Sequence, residues 1–305
     1  MGKITNQIKR LNQMLRAYLF RKGYAITSVN QYEKEVKHFY DWLSVQKLSL
    51  KKITRNDILS YRSFLQENYK GQRTNQQRLS MLRVFFDAMQ SNGLMNHNPA
   101  TGIHIKGITR ATVNNVLTKQ QLDNLYNNYE VNPTDPFSSR NKVILGLLIY
   151  QAISIGELKK LAVDAIDTKN WILRVPSAGR SNSRNLPLQN NQISQIQEYL
   201  HTSRESIMSS KSQRSEQLII NAFTDKLRST LITLQKQIRK IEPAFINYIQ
   251  LRNSVLVHLT RDADLIKVKE FTGKRYISSL ERYQQVNNLP QLQQQLNTMF
   301  GSFQI

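Results

Sequence analysis

The stretch LRNSVLVHLTRDADLIKVKEFTGKRYISSLERY, Leu251–Tyr283, decides how this chain is read. Val255, Leu256 and Leu259 recur at helical spacing, which predicts a helix over about residues 247–262 with one face toward a core. Arg252, in Leu251-Arg252-Asn253-Ser254, rides on that helix. A second helix over 264–272 leads to Gly273 and Lys274, and a third is expected over 277–285. Two tyrosines follow the cations: Tyr276, and Tyr283 at 31 positions beyond Arg252. A phenol with its ordinary pKa of about 10 is a weak nucleophile. Such a group works as a nucleophile only with positive groups close by, and this segment offers them at short range.

Working toward the N-terminus, Trp171-Ile-Leu-Arg-Val-Pro176 reads as a strand. Ser177-Ala-Gly-Arg-Ser-Asn-Ser183 supplies a turn, and Arg184-Asn-Leu-Pro-Leu188 the returning strand. Lys142 to Tyr150 is a nearly continuous apolar run and predicts a buried helix. Further helices are expected over 190–208 and 224–240, with a short apolar strand or buried segment at Gln217–Asn221. Thr118 caps the helix that opens the domain.

The first hundred residues read as helices throughout. Ile8, Leu11, Leu15 and Leu19 mark the first. Val29, Tyr32, Val36, Phe39, Tyr40 and Leu43 mark a second behind a cap at Thr27 or Ser28. Thr54-Arg55-Asn56-Asp57 predicts a capping box ahead of the third, and the fourth runs from about Thr74 to Gln90. The aromatic side chains here are expected in the core. The fold class is thus mostly α with a small β-hairpin or sheet. The expected boundaries are a helical domain over 1–105, a linker over 106–117, a second domain over 118–288 and an amphipathic tail helix over 289–305.

Charge narrows the partner. The chain has 305 residues, a net charge of +22 and a pI near 10.2. Residues 1–108 hold 18 Lys or Arg against 6 Asp or Glu, so the smaller N-terminal part is denser in positive charge. Such an excess favours a polyanion, because each phosphate that is neutralised releases condensed counterions. Lys70, Arg73, Arg78 and Arg83 on the helices, Lys106 and Arg110 in the linker and Arg184 at the hairpin are the candidate DNA contacts. The chain has no cysteine, which excludes disulfides and thiolate metal sites. Its five histidines show no metal-ligand spacing. No run reaches the roughly 18 apolar residues of a membrane span, and no signal-peptide pattern opens the chain, so a cytoplasmic protein is expected.

The order of elements resembles the tyrosine recombinase (phage integrase) family over nearly the whole chain. The features that carry the resemblance are the exit Asn98-Pro99-Ala100, the hairpin Arg180-Ser-Asn-Ser-Arg184 and, with most specificity, Gly273-Lys-Arg-Tyr-Ile-Ser-Ser-Leu-Glu-Arg-Tyr283. A divergent branch found in mobile elements is the nearest in flavour. The resemblance implies a helical core-binding domain followed by an α+β catalytic domain. It implies strand transfer on double-stranded DNA through a 3′-phosphotyrosyl intermediate, with no metal or other cofactor. It also implies assembly of a dimer or tetramer on DNA through the C-terminal tail. Tyr283 matches the nucleophile, in preference to Tyr276, and Arg252 matches the second arginine. Lys274 stands at a histidine position, and Arg180 lies next to the hairpin position of the family's lysine.

Three positions depart from the pattern. Ser154, in Ala152-Ile-Ser-Ile-Gly-Glu-Leu158, occupies the place of the first arginine. Gly179 stands where the hairpin lysine belongs, and Ile249 replaces the histidine three residues before Arg252. Losing one preorganised donor to a developing oxyanion costs about 10²–10³ in rate. The alternative is therefore a DNA-binding relative of weak or absent activity that serves as an accessory or regulator.

Overall fold

The computed structural model describes residues 2–108, 113–179, 181–211, 213–222 and 227–286, and divides into two compact units, Met1–Arg110 and Ala111–Ile305. The first is built on four helices, α1 (Gly2–Arg21), α2 (Ile26–Val45), α3 (Arg55–Asn68) and α4 (Gln72–Ser91). Phe39, Tyr61, Phe85 and Phe86 are fully buried, so the aromatics do form the core. The Thr54 capping box is present, with Asp57 reciprocating to the Thr54 backbone. The expected cap at Thr27 or Ser28 is not. Gly23, at φ 77°, lets the Tyr24 amide bond back to Leu19, and this tight turn allows α2 to begin at Ile26 behind Ala25. Ala100, Ile103 and Ile105 are buried in the same core, so the extended segment after α4 packs as part of this unit.

The second unit opens at α5 (Lys119–Asn127), with Thr118 forming a capping box with Gln121. Its centre is α6 (Pro136–Tyr150), from which Val143 to Ile149 are buried without a break. The short α7 (Ile155–Leu158) follows. The hairpin of β2 (Ile172–Val175) and β3 (Arg184–Pro187) pairs Val175 with Arg184 and Leu173 with Leu186. A third, antiparallel strand, β1 (Ile166–Asp167), extends it. Two residues carry too little alternation to mark this strand in the sequence.

Residues 190–209 continue as α8 (Asn190–Glu198), a π-helical turn and α9 (Arg204–Ser209). Leu218, Ile219 and Ile220 form a buried segment, entered through an isolated bridge between Gln217 and Ala162. Then come α10 (Leu227–Ile241), α11 (Tyr248–Asp262) and α12 (Leu265–Thr272). Beyond them are a 3-10 turn at Ile277–Ser279 and a helical stretch over 281–286. The expected tail helix over 289–305 lies outside the described residues. No described helix is long and apolar enough to cross a membrane.

Candidate active site

Arg252 stands in the first turns of α11, which Asn247 caps by accepting the amides of Ile249 and Gln250 at 2.9 Å each. Buried Leu251, Val255 and Leu256 fix the helix against the core and turn Arg252 toward the loop before α7. There Ala152 adopts φ 50°, a left-handed conformation that costs an alanine roughly 1–2 kcal/mol. Its carbonyl accepts the Arg252 Nε–H at 3.2 Å. The strained turn thus fixes the arginine by one edge and leaves its terminal nitrogens for other partners.

Glu157, 1% exposed, is the hub. Its Oε2 accepts the Ser154 amide and hydroxyl at 2.7 Å each, in a capping box over α7. Its Oε1 accepts Arg184 Nη1 at 2.7 Å and the Ser181 hydroxyl at 2.8 Å. Arg252 Nη2 lies 3.7 Å from Oε2, close enough for attraction but beyond a hydrogen bond. Burial alone would push the Glu157 pKa up. The Arg184 and Ser154 hydrogen bonds and the Arg184 charge outweigh it and hold the pKa at about 2. The carboxylate is therefore ionised at any physiological pH.

Lys274 arrives from the opposite side. Gly273 caps α12 at φ 66°, and the Asn182 amide donates to its carbonyl at 2.8 Å, so the hairpin turn docks on this bend. Lys274 is half-buried next to Arg252. Burial lowers its pKa, and the positive charges of Arg252 and Arg282 lower it further. A cavity of about 590 Å³ opens between these elements, lined among others by Ser154, Ser181, Arg252, Lys274, Arg275 and Tyr276. Cations and hydroxyls around a single saturated carboxylate suit a phosphate group.

The structure brings Arg252 and Lys274 together but leaves Tyr283 out of the cavity lining. Tyr283 is 2% exposed, packed with Val113, Leu256, Val257, Val268 and Leu280. Its hydroxyl donates to Asn253 Oδ1 at 3.2 Å and accepts from Arg282. It is thus tied to Asn253, the residue after Arg252 on α11. Tyr276 is 72% exposed at the rim of the cavity. Ile249 is also 72% exposed; Lys159 is exposed and the Lys160 ammonium donates to the Ser177 carbonyl at 3.5 Å; all three lie outside the lining, so none takes up the chemistry of the missing groups.

Among the expected DNA contacts, Lys70, Arg73 and Lys106 are exposed. Arg78 and Arg83 are partly spent on their own unit. Arg78 pairs with Glu35 at 3.7 Å and lies over the Tyr69 ring at 4.1 Å, while Arg83 donates to the Ile103 carbonyl at 2.9 Å. Arg184 departs most from its expected place. Its side chain is 6% exposed and paired with Glu157, so it supports the site from inside and is no surface contact. The signal was available: on a strand, Arg184 shares a face with Leu186 and Leu188, both buried. Arg180 and Arg110 lie outside the described residues.

Both units are similar to known proteins. Residues 115–289 match the phage integrase family, and residues 11–93 match its N-terminal SAM-like domain. Among curated proteins, the chain is 25% identical to tyrosine recombinase XerC of Oceanobacillus iheyensis over 265 residues, covering 85% of each chain. It is 24% identical to tyrosine recombinase XerD of Listeria innocua, over 92% of this chain and 94% of that protein. Among solved structures, the XerH site-specific recombinase bound to palindromic difH substrate superposes with a TM-score of 0.72 at 16% identity, covering 90% of this chain and 81% of that one. The Tn1549 transposon integrase in complex with transposon right end DNA gives 0.68 at 13% identity, over 90% and 94%. With its catalytic domain and the SAM-like domain before it both matched, the chain belongs to the phage integrase family of tyrosine recombinases.

Proposed function

We propose that this protein is a site-specific DNA strand transferase in which Tyr283 is the nucleophile and Arg252 and Lys274 receive the scissile phosphate. The observation that carries the reading is the cavity where these two cations converge over Glu157, with Tyr283 hydrogen-bonded to Asn253, the residue after Arg252 on α11. The Tyr283 oxygen bonds to phosphorus as the bond to the 5′ oxygen breaks. The phenolic proton passes to water, and Lys274 gives a proton to the departing 5′ oxygen. Burial and neighbouring cations make that lysine a stronger acid than an ordinary one. The phosphotyrosyl bond keeps the energy of the diester, so a 5′ hydroxyl of another strand reverses the step. Integration or excision of a mobile segment, by protomers joined on DNA through the C-terminal tail, is the setting that fits best.

Attack requires Tyr283 to leave its apolar cluster, since a side chain 2% exposed reaches no phosphate. We therefore expect activity on the bound site and little on free nucleotides. The test is a nicked duplex carrying a site that the protein itself selects from a random pool. An adduct that survives SDS is expected. Tight binding with no adduct would leave the chain as a DNA-binding accessory, the reading favoured by Ser154 and Ile249.

A further inference from the structure

The site contains a cation that its sequence pattern does not assign. Glu157 has two oxygens with about four acceptor positions. Arg184 and Ser181 take two on Oε1, and the Ser154 amide and hydroxyl take two on Oε2. The carboxylate is full. Arg252 stands at 3.7 Å from it and, among the described residues, makes a side-chain hydrogen bond only through its Nε, to Ala152.

Arg184 is held as firmly as the group it serves. Its Nε donates to the Phe271 carbonyl at 2.8 Å, and its Nη2 is buried with no hydrogen-bond partner among the described residues. Gly273 leaves it room. A Cβ there would stand 2.8 Å from Arg184 Nη1 and 2.7 Å from the Asn182 carbonyl oxygen. Three segments therefore meet on this one guanidinium: α7 through Glu157, the hairpin through β3, and the end of α12 through Phe271.

We infer that Arg184 is a positioning residue: it saturates Glu157 so that Arg252 stays free for phosphate. Arg184 does not line the cavity and touches no reacting atom. Without it, Glu157 would be a buried carboxylate with an open acceptor site, and the nearest cation able to fill it is Arg252. A collapsed Arg252–Glu157 pair would then compete with the DNA. The inference deepens the strand-transfer reading and rests on it only where cleavage is measured.

The test uses the full chain with ¹⁵N-labelled arginine. Inorganic phosphate is titrated in while the Nε–H signal of Arg252, assigned through Arg252→Lys, is followed. Relative to wild type, Arg184→Gln should weaken phosphate binding at Arg252 by about fivefold, and Arg184→Lys should recover part of it. The double variant Glu157→Gln/Arg184→Gln should return to the wild-type value, because removing the carboxylate removes the competitor. A merely structural strut would not be rescued by that second substitution.

If Arg184→Gln does not fold, the double variant and Glu157→Gln alone decide. The double should match wild type, and Glu157→Gln should bind phosphate more tightly. Equal affinity in wild type and Arg184→Gln would overturn the inference. So would a double variant weaker than wild type, or an Arg252 signal that phosphate never moves. In parallel, adduct formation on the selected duplex should slow about tenfold in Arg184→Gln. A wild type that forms no adduct sinks strand transfer, and the titration still judges Arg184.

Discussion

Two buried glutamates, one in each unit, show how the same pairing serves two ends. Glu35 in α2 is 5% exposed and meets one arginine, Arg78 at 3.7 Å, and one hydroxyl, that of Tyr61 at 3.3 Å. Arg78 is itself stacked on Tyr69, and the adjoining cavity is only about 140 Å³. One carboxylate and one arginine cancel, and the result ties α2 to α4. Glu157 meets two serines and Arg184 at hydrogen-bond distance, with Arg252 and Lys274 close behind and an opening of about 590 Å³ beside them. Three cations around one carboxylate leave positive charge unspent. A buried ion pair is by itself weak evidence of function. An excess of cations facing a cavity is stronger evidence, because it is costly unless an anion arrives.

The largest expected effects come from breaking the second arrangement. Arg252→Gln should lower adduct formation by about 10²–10³-fold, read by SDS gel on the selected duplex, with DNA affinity much less affected. For Glu157 the expected signature is in stability. Its pKa falls from 4.5 to about 2 on folding, so the contribution is fully present above pH 4.5 and is lost as pH falls toward 2. That contribution is on the order of 3 kcal/mol. Denaturant melts of wild type should weaken across that window, and Glu157→Gln should reduce that acid dependence.

Lys274 sharpens the comparison through its alkaline limb. A lowered pKa means its proton is lost at lower pH than from an ordinary lysine at 10.5. Cleavage by wild type should decline as pH rises, along a limb centred below 10.5, and Lys274→Arg should move that limb upward. In a pH–rate series, an unmoved limb would remove Lys274 from proton transfer. The smallest effect belongs to the first unit. Glu35→Gln should cost about 1–2 kcal/mol in urea melts and leave the cleavage rate of folded protein unchanged.

Much of this was legible in the sequence because it was local. Thr54 and Thr118 announce their helices through a partner three residues on, and the apolar run of α6 needs no tertiary context. Arg252 and Lys274 were legible through their distance from Tyr283. The Glu157 hub was not, because Arg184 lies 27 positions away and Ser181 24. Strand alternation alone places Arg184 inward, yet an arginine near a turn invites a surface reading. The burial of Tyr283 was equally hidden: its cluster gathers Val113, Leu256 and Val268 from three separate segments.

The tyrosine that carries the DNA identifies the nucleophile. Cleavage by trypsin after Arg275 and Arg282 separates the two candidates, leaving Tyr276 in residues 276–282 and Tyr283 in residues 283–305. Mass spectrometry of the adduct after nuclease trimming should find the nucleotide remnant on the 283–305 peptide, and Tyr283→Phe should form no adduct. A remnant on the 276–282 peptide, from the tyrosine already exposed at the cavity rim, would contradict the assignment of Tyr283 as the nucleophile.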